Sequence, residues 1–177
     1  MMLLGVQRRN EVTHMRWQDL DLQENWWNIP AEFTKTKRPY RVALTKPMLA
    51  IIDEMEKLEL DETWVFPRAG RGGPVPETNI GRPFRRIIKV AGLAHYMPHD
   101  LLHTATSHMT AMGISEFDVG KVRHHTSRDS KTSTGRYNHY GYDREKRQAL
   151  EAWAARLEEI LTGKKANEQK VVRLRPA

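Results

Sequence analysis

Pro98-His99-Asp100-Leu101-Leu102-His103-Thr104 opens a helix that carries two imidazoles and an acid in its first turns. Pro98 suits a first turn, where its fixed φ and missing N–H cost nothing, and the helix is expected to run from His99 to Met112 and end at Gly113. Just upstream, Arg82-Pro83-Phe84-Arg85-Arg86-Ile87-Ile88-Lys89 reads as a basic amphipathic helix, after a loop from Arg68 to Pro76 punctuated by glycine and proline. Downstream, Ser115 caps a shorter helix through about Arg123, and a polar, loop-like stretch runs from His124 to Arg136. Asp143 to Leu161 is then a helix ended by Gly163, with Leu150, Trp153, Ala154, Leu157 and Leu161 as its buried stripe. Toward the N-terminus, Trp26-Trp27-Asn28-Ile29 and Tyr40-Arg41-Val42-Ala43-Leu44 have the β-branched and aromatic content of strands. The basic connection Thr34-Lys35-Thr36-Lys37-Arg38-Pro39 makes them a cationic hairpin. Lys46 to Leu60 reads as a helix, Trp64-Val65-Phe66 as a short strand, and Met1 to about Trp17 as one helix with Leu4, Val12 and Met15 on a shared face. The resulting fold class is mixed α+β, mainly helical, with a small antiparallel sheet.

The chain has 177 residues, 39% of them hydrophobic and 29% charged, a globular composition and not a disordered one. It contains no apolar run of roughly 18 residues, which excludes a membrane-spanning helix in the sequence, and the apolar start is too short for a signal peptide. Cysteine is absent, so disulfide scaffolds, thiolate metal sites and cysteine catalysis are excluded together, and a cytoplasmic location is expected. Lysine plus arginine is 29 against 22 aspartate plus glutamate, a net charge of +7 that suits a polyanionic partner.

Four features then arrive in a fixed order. Arg8 stands one helical turn before Glu11, Lys35 sits in the basic hairpin, and His99 opens the Pro98–Thr104 helix. Last, His125 is followed by Tyr137 in Arg136-Tyr137-Asn138-His139-Tyr140. In these stretches the sequence resembles the catalytic domain of the tyrosine recombinases, specifically the phage and prophage integrases. Gln7-Arg8-Arg9-Asn10-Glu11-Val12 is similar to the surroundings of that family's first active-site arginine, and Thr34-Lys35 to its hairpin lysine. Pro98-His99-Asp100-Leu101 is similar to its His-x-x-Arg box, and Tyr137 through Trp153 to its nucleophile and closing helix. The resemblance covers the chain to about residue 162.

The resemblance implies a tyrosine-recombinase catalytic-domain fold and site-specific DNA strand cleavage and rejoining through a 3′-phosphotyrosine. Tyr137 would be the nucleophile, Arg8 the phosphate clamp and Lys35 the general acid, with His99 and His125 supporting phosphate and proton transfer. The chemistry asks for these types: a tyrosine ester conserves the bond energy, a planar guanidinium forks onto two phosphate oxygens, and a lysine can protonate the leaving 5′ oxygen. Lys37, Arg38, Arg82, Arg85 and Arg86 are the expected DNA-binding residues. The implied partners are double-stranded DNA and further copies of the chain in a synaptic tetramer, with no membrane, no metal and no cofactor. Residues 1–162 are expected to form the catalytic domain, without the family's N-terminal DNA-clamping domain, and 163–177 a basic flexible tail.

Three departures stand out. Leu102 occupies the position of the family's second arginine, and losing one such donor costs roughly 3 to 4 kcal/mol in the barrier, on the order of 10²–10³ in rate, so impaired activity is expected. The stretch between His125 and Tyr137 is long for the family, which leaves Tyr140 and Tyr142 as fallback nucleophiles. Arg123 and His124 stand where an integrase more often has an apolar and a small residue, and Arg123 is a candidate substitute for the missing arginine. Two other function classes fit parts of the sequence. One is a non-catalytic DNA-binding remnant of an integrase, and the other a zinc-dependent hydrolase using His99 and His103, which share the i, i+4 spacing of the zinc-protease helix.

Overall fold

Trp26 and Trp27 sit at the centre of the small sheet and bury opposite faces of it. The computed structural model describes residues 1–93, 96–125 and 141–164. In it, β2 (Trp26–Ile29) lies between β1 (Leu20–Asp21) and β3 (Tyr40–Ala43), both antiparallel to it. Trp26 pairs with Ala43 and Ile29 with Tyr40, so Trp27 and Ile29 fall on the core face at period two. Trp26 faces the other way and is covered by cations, with the Arg41 and Arg147 guanidiniums 4.4 and 4.5 Å from its ring centre.

The helices supply most of the mass. They are α1 (Met2–Gly5), α2 (Arg9–Thr13), α3 (Lys46–Lys57), α4 (Glu77–Val90), α5 (Asp100–Ala111), α6 (Glu116–Val122) and α7 (Asp143–Thr162). Helices α1, α5, α6 and α7 pack on one another, and α7 also lies along β3. Leu102, Ala105 and Met109 repeat along one face of α5, and Ala149, Leu150 and Trp153 along one face of α7. These meet Val6, Trp27, Met48 and Ile52 in one apolar core, and at ~25 cal/mol per Å² such burial is the main stabilising contribution. Trp153 also donates from its indole Nε1 to the Leu3 carbonyl at 2.9 Å, tying α7 to the N-terminal segment.

The mixed, mainly helical fold with a small antiparallel sheet is as the sequence predicts, as are the caps. The Ser115 hydroxyl accepts from the Asp118 N–H at 3.1 Å, and Gly163 closes α7 in the left-handed region. Four local expectations are corrected. Met1–Trp17 is not one helix, because Val6 adopts φ 55° and breaks it into α1 and α2. Buried Gln7 beside that break makes three long-range or turn-forming hydrogen bonds, which outweigh helix propensity. Trp64–Phe66 forms only an isolated bridge to Arg16, since Pro67 has no N–H to continue a ladder. Leu161 is 77% exposed, because α7 has by then run past the core. Strand β1 lies outside the stretch expected to hold the strands. Residues 126–140, with the expected loop and Tyr137 and Tyr140, and residues 165–177 of the expected tail lie outside the described residues.

Candidate functional site

Arg8 owes its position to the break at Val6. With the chain turned there, Arg8 becomes the extended N-cap of α2, and Glu11 folds back onto it. The Glu11 carboxylate accepts from the Arg8 backbone N–H at 2.7 Å and from its Nη1 at 3.0 Å. Glu11 is 1% exposed and the Arg8 side chain 24%, so a buried carboxylate orients a largely buried guanidinium that lines a cavity. Gln7 anchors the same turn. Its Nε2 donates to the Gly5 carbonyl at 2.6 Å and to the Val122 carbonyl at 2.9 Å, and its Oε1 accepts from the Tyr40 hydroxyl at 2.6 Å. Burial and the nearby Glu11 charge raise the Tyr40 hydroxyl above its ordinary range, so it stays a donor.

The hairpin reaches over this turn. Buried Thr34 closes its loop, accepting from the Arg38 N–H at 3.1 Å and donating to the Ala31 carbonyl at 3.0 Å. Asn10 on α2 donates to the Phe33 carbonyl at 2.8 Å, which fixes the loop to the helix that carries Glu11. Lys35 is thereby held exposed at a cavity of about 300 Å³ whose walls include Arg8, Asn10, Glu11 and Glu77. Next to it, the Thr36 hydroxyl lies 2.7 Å from His124 Nε2, and the His124 ring stacks on Tyr40 with centroids 4.0 Å apart. Burial first, and then the charges of Arg8, Lys146, Arg38 and Lys121, lower His124 to about 4, so its imidazole is neutral at pH 7.

His125 completes the cluster. Burial lowers it, and the charges of Arg123, Arg8, Lys35 and His99 lower it further, so each of these four lies within electrostatic reach of His125. His99, His125, Arg8 and Lys35, predicted from four separate segments, are thus brought to one region. His99 precedes the first residue of α5 and is exposed, its ring 4.9 Å from that of His103. Lys37 and Arg38 are exposed on the hairpin, Lys37 donating to the Glu32 carbonyl at 3.2 Å. Arg82, Arg85 and Arg86 are exposed on α4, whose first residue, Glu77, pairs with Arg9 at 3.2 Å and so sets that helix at the rim of the cavity. Among the described residues no group of three His, Asp or Glu side chains is arranged to hold a metal ion, which leaves the His99–His103 pair without a third ligand.

Leu102 is 2% exposed and packs in the core, so it offers the site nothing. Tyr142, one of the fallback nucleophiles, packs its ring against Phe117 at 5.1 Å with the Lys121 ammonium 4.4 Å away, which commits it to α6. The supporting residues Gln7, Tyr40 and Thr36 had no signal in the sequence, since their roles depend on partners 33 to 115 positions away.

A mainly helical domain with a three-stranded sheet, its cationic hairpin folded over the first arginine, is the architecture of tyrosine-recombinase catalytic domains. The structure resembles XerA recombinase with a TM-score of 0.61 at 23% identity, over 94% of this chain and 55% of that one. It resembles the integrase from mycobacterium phage Brujita with a TM-score of 0.61 at 16% identity, over 85% of this chain and 48% of that one. The chain belongs to the phage integrase family, whose model matches residues 1–144. Among curated proteins, prophage integrase IntA of Escherichia coli (strain K12) is 25% identical over 154 residues, which are 86% of this chain and 36% of that protein. The chain therefore spans little more than a third of that relative's length and about half of the two solved structures. No helix among the described residues is long and apolar enough to cross a membrane.

Proposed function

We propose that the chain is the catalytic domain of a site-specific DNA recombinase that cuts and rejoins strands through a 3′-phosphotyrosine. The observation that carries this reading is that Arg8 and Lys35, from distant segments, line one cavity and that both, with His99, lie near enough to His125 for their charges to act on it. One structural neighbour, XerH site-specific recombinase, was solved bound to its difH substrate in a pre-cleavage complex, and it matches this chain with a TM-score of 0.58 at 17% identity, over 91% of this chain and 42% of that one. A comparable duplex is the proposed partner here.

In the reaction, the Tyr137 phenolic oxygen attacks phosphorus as the bond from phosphorus to the 5′ oxygen breaks. The tyrosine proton passes to the neutral His125 imidazole, and the Lys35 ammonium gives a proton to the departing 5′ oxygen. Arg8, fixed by Glu11, and His99 stabilise charge on the non-bridging oxygens. Rejoining reverses these transfers with the 5′ hydroxyl of another strand as nucleophile. Lys37, Arg38, Arg82, Arg85 and Arg86 grip the flanking backbone. Leu102, in the core, adds no guanidinium to this clamp, and a clamp of Arg8 alone would be slower than one with two arginines by about 10²–10³.

The test uses a pool of nicked duplexes of random sequence, so that no attachment site need be known. The native chain is expected to yield an SDS-resistant protein–DNA adduct that is absent with Tyr137→Phe and reduced at least a hundredfold with Lys35→Ala. Salt-sensitive DNA binding without any adduct would overturn catalysis and leave a DNA-binding remnant, which buried Leu102 also favours. An adduct that persists in Tyr137→Phe would move the nucleophile elsewhere.

A further inference from the structure

We propose that Arg123 is the second guanidinium of the phosphate site, filling the role that Leu102 cannot. The inference rests on the recombinase reading above and names the group that completes its clamp. The hydrogen bond from Gln7 Nε2 to the Val122 carbonyl, 2.9 Å long, joins the residue before Arg8 to the residue before Arg123. The two arginines therefore leave adjacent stretches of backbone, Arg8 at the start of α2 and Arg123 at the end of α6.

Their partners differ. Arg8 is balanced by buried Glu11, Arg16 by Asp19 and Arg41 by Asp143. Arg123 has no ion pair among the described residues, and its Nε is buried without a hydrogen-bond partner. A buried donor of this kind costs stability unless an acceptor arrives, and such groups mark places where one does. Burial and the Arg8 charge both push Arg123 below its ordinary range, an electrostatic penalty of the empty site that an anion placed between the two guanidiniums would offset. With Arg8 already neutralised by Glu11, Arg123 supplies the uncompensated positive charge that a phosphodiester requires, and its planar fork can engage a non-bridging oxygen. Leu102, 2% exposed, sits on the core side of α5 and has no part in this arrangement.

Inorganic phosphate is the probe, titrated into the purified chain at constant ionic strength and followed by its ³¹P resonance. Arg123→Ala is expected to weaken binding at least tenfold, Arg8→Ala comparably, and Arg123→Lys less than Arg123→Ala. Arg156→Ala on the far part of α7 serves as the control and is expected to bind as the native chain does. Thermal unfolding of each variant separates lost binding from lost fold, and Arg123→Gln is carried in parallel as a variant that keeps a polar side chain without the charge. If Arg8→Ala loses phosphate while Arg123→Ala and Arg123→Gln bind like the native chain, the proposal is overturned and the phosphate site stands. If neither arginine affects binding, or the native chain binds no phosphate, the site reading fails and the proposal with it. In the adduct assay on nicked duplexes, Arg123→Ala is expected to lower the rate by about 10²–10³.

Discussion

At the scale of single residues, His124 is held by distant partners in an unusual backbone conformation. It occupies φ 47°, a conformation that favours glycine or asparagine, and is held there by the stack on Tyr40 and the bond to Thr36. Its folded pKa of about 4 lies below the ordinary 6.5, so the unfolded chain takes up the proton first as pH falls. Stability contributed by the neutral ring is complete above pH 6.5 and is lost as pH falls toward 4, by about 2 kcal/mol after screening at this half-buried position. Urea midpoints measured between pH 7 and 4 are expected to show this loss in the native chain and a flatter profile in His124→Asn, since asparagine tolerates the backbone. The ring's neutrality also matters for the site: a charged His124 would repel Arg8 and Arg38. Arg123 is legible in the sequence only as an oddity. Its pairing with Arg8 becomes visible once α6 is seen to dock on Gln7.

At the scale of elements, the start of α7 is clasped to the sheet by a charged cluster. Asp143 pairs with Arg41 on β3 and with Lys146 at 2.8 Å, and Lys146, with a side chain 8% exposed, donates to the Arg41 carbonyl at 3.1 Å. Burial would raise Asp143, but Arg41 and Lys146 more than offset it, and the carboxyl lies below its ordinary value. Its contribution is therefore present above about pH 4 and lost below it. Burial dominates at Lys146, which is lowered even with Asp143 beside it. Removing the carboxylate should leave a buried ammonium without its counter-charge. Asp143→Ala is expected to cost about 2–4 kcal/mol, and adding Lys146→Met should recover most of that, as a double-mutant cycle in urea would read. The clasp fixes where α7 begins, directly after the segment that holds Tyr137.

At the scale of the whole molecule, the net charge is +7, and the hairpin and α4 both present exposed cations. Helix α4 buries none of its residues and touches the body through α2, so its arginines contribute little to folding and remain available to a polyanion. Replacing Arg82, Arg85 and Arg86 together by alanine is expected to leave the melting temperature nearly unchanged. If each meets a phosphate, the slope of log binding constant against log salt becomes shallower by about 2.7, measured on random-sequence duplex by fluorescence anisotropy. An unchanged slope would remove α4 from the DNA-binding surface.

The amino-acid sequence by itself determined the long helices, the hairpin, the caps at Ser115 and Gly163 and the family, because these depend on local periodicity and on short motifs whose order survives without coordinates. It also placed Arg8, Lys35, His99, His125 and Tyr137 in sequence order. Only the tertiary structure decided that Val6 breaks the first helix, that Leu102 faces the core, and that the hydrogen-bonded pairs Gln7–Tyr40 and Thr36–His124 are joined by the Tyr40–His124 stack. Those outcomes depend on groups far apart along the chain, where a buried amide or imidazole is stable only if a distant partner satisfies it.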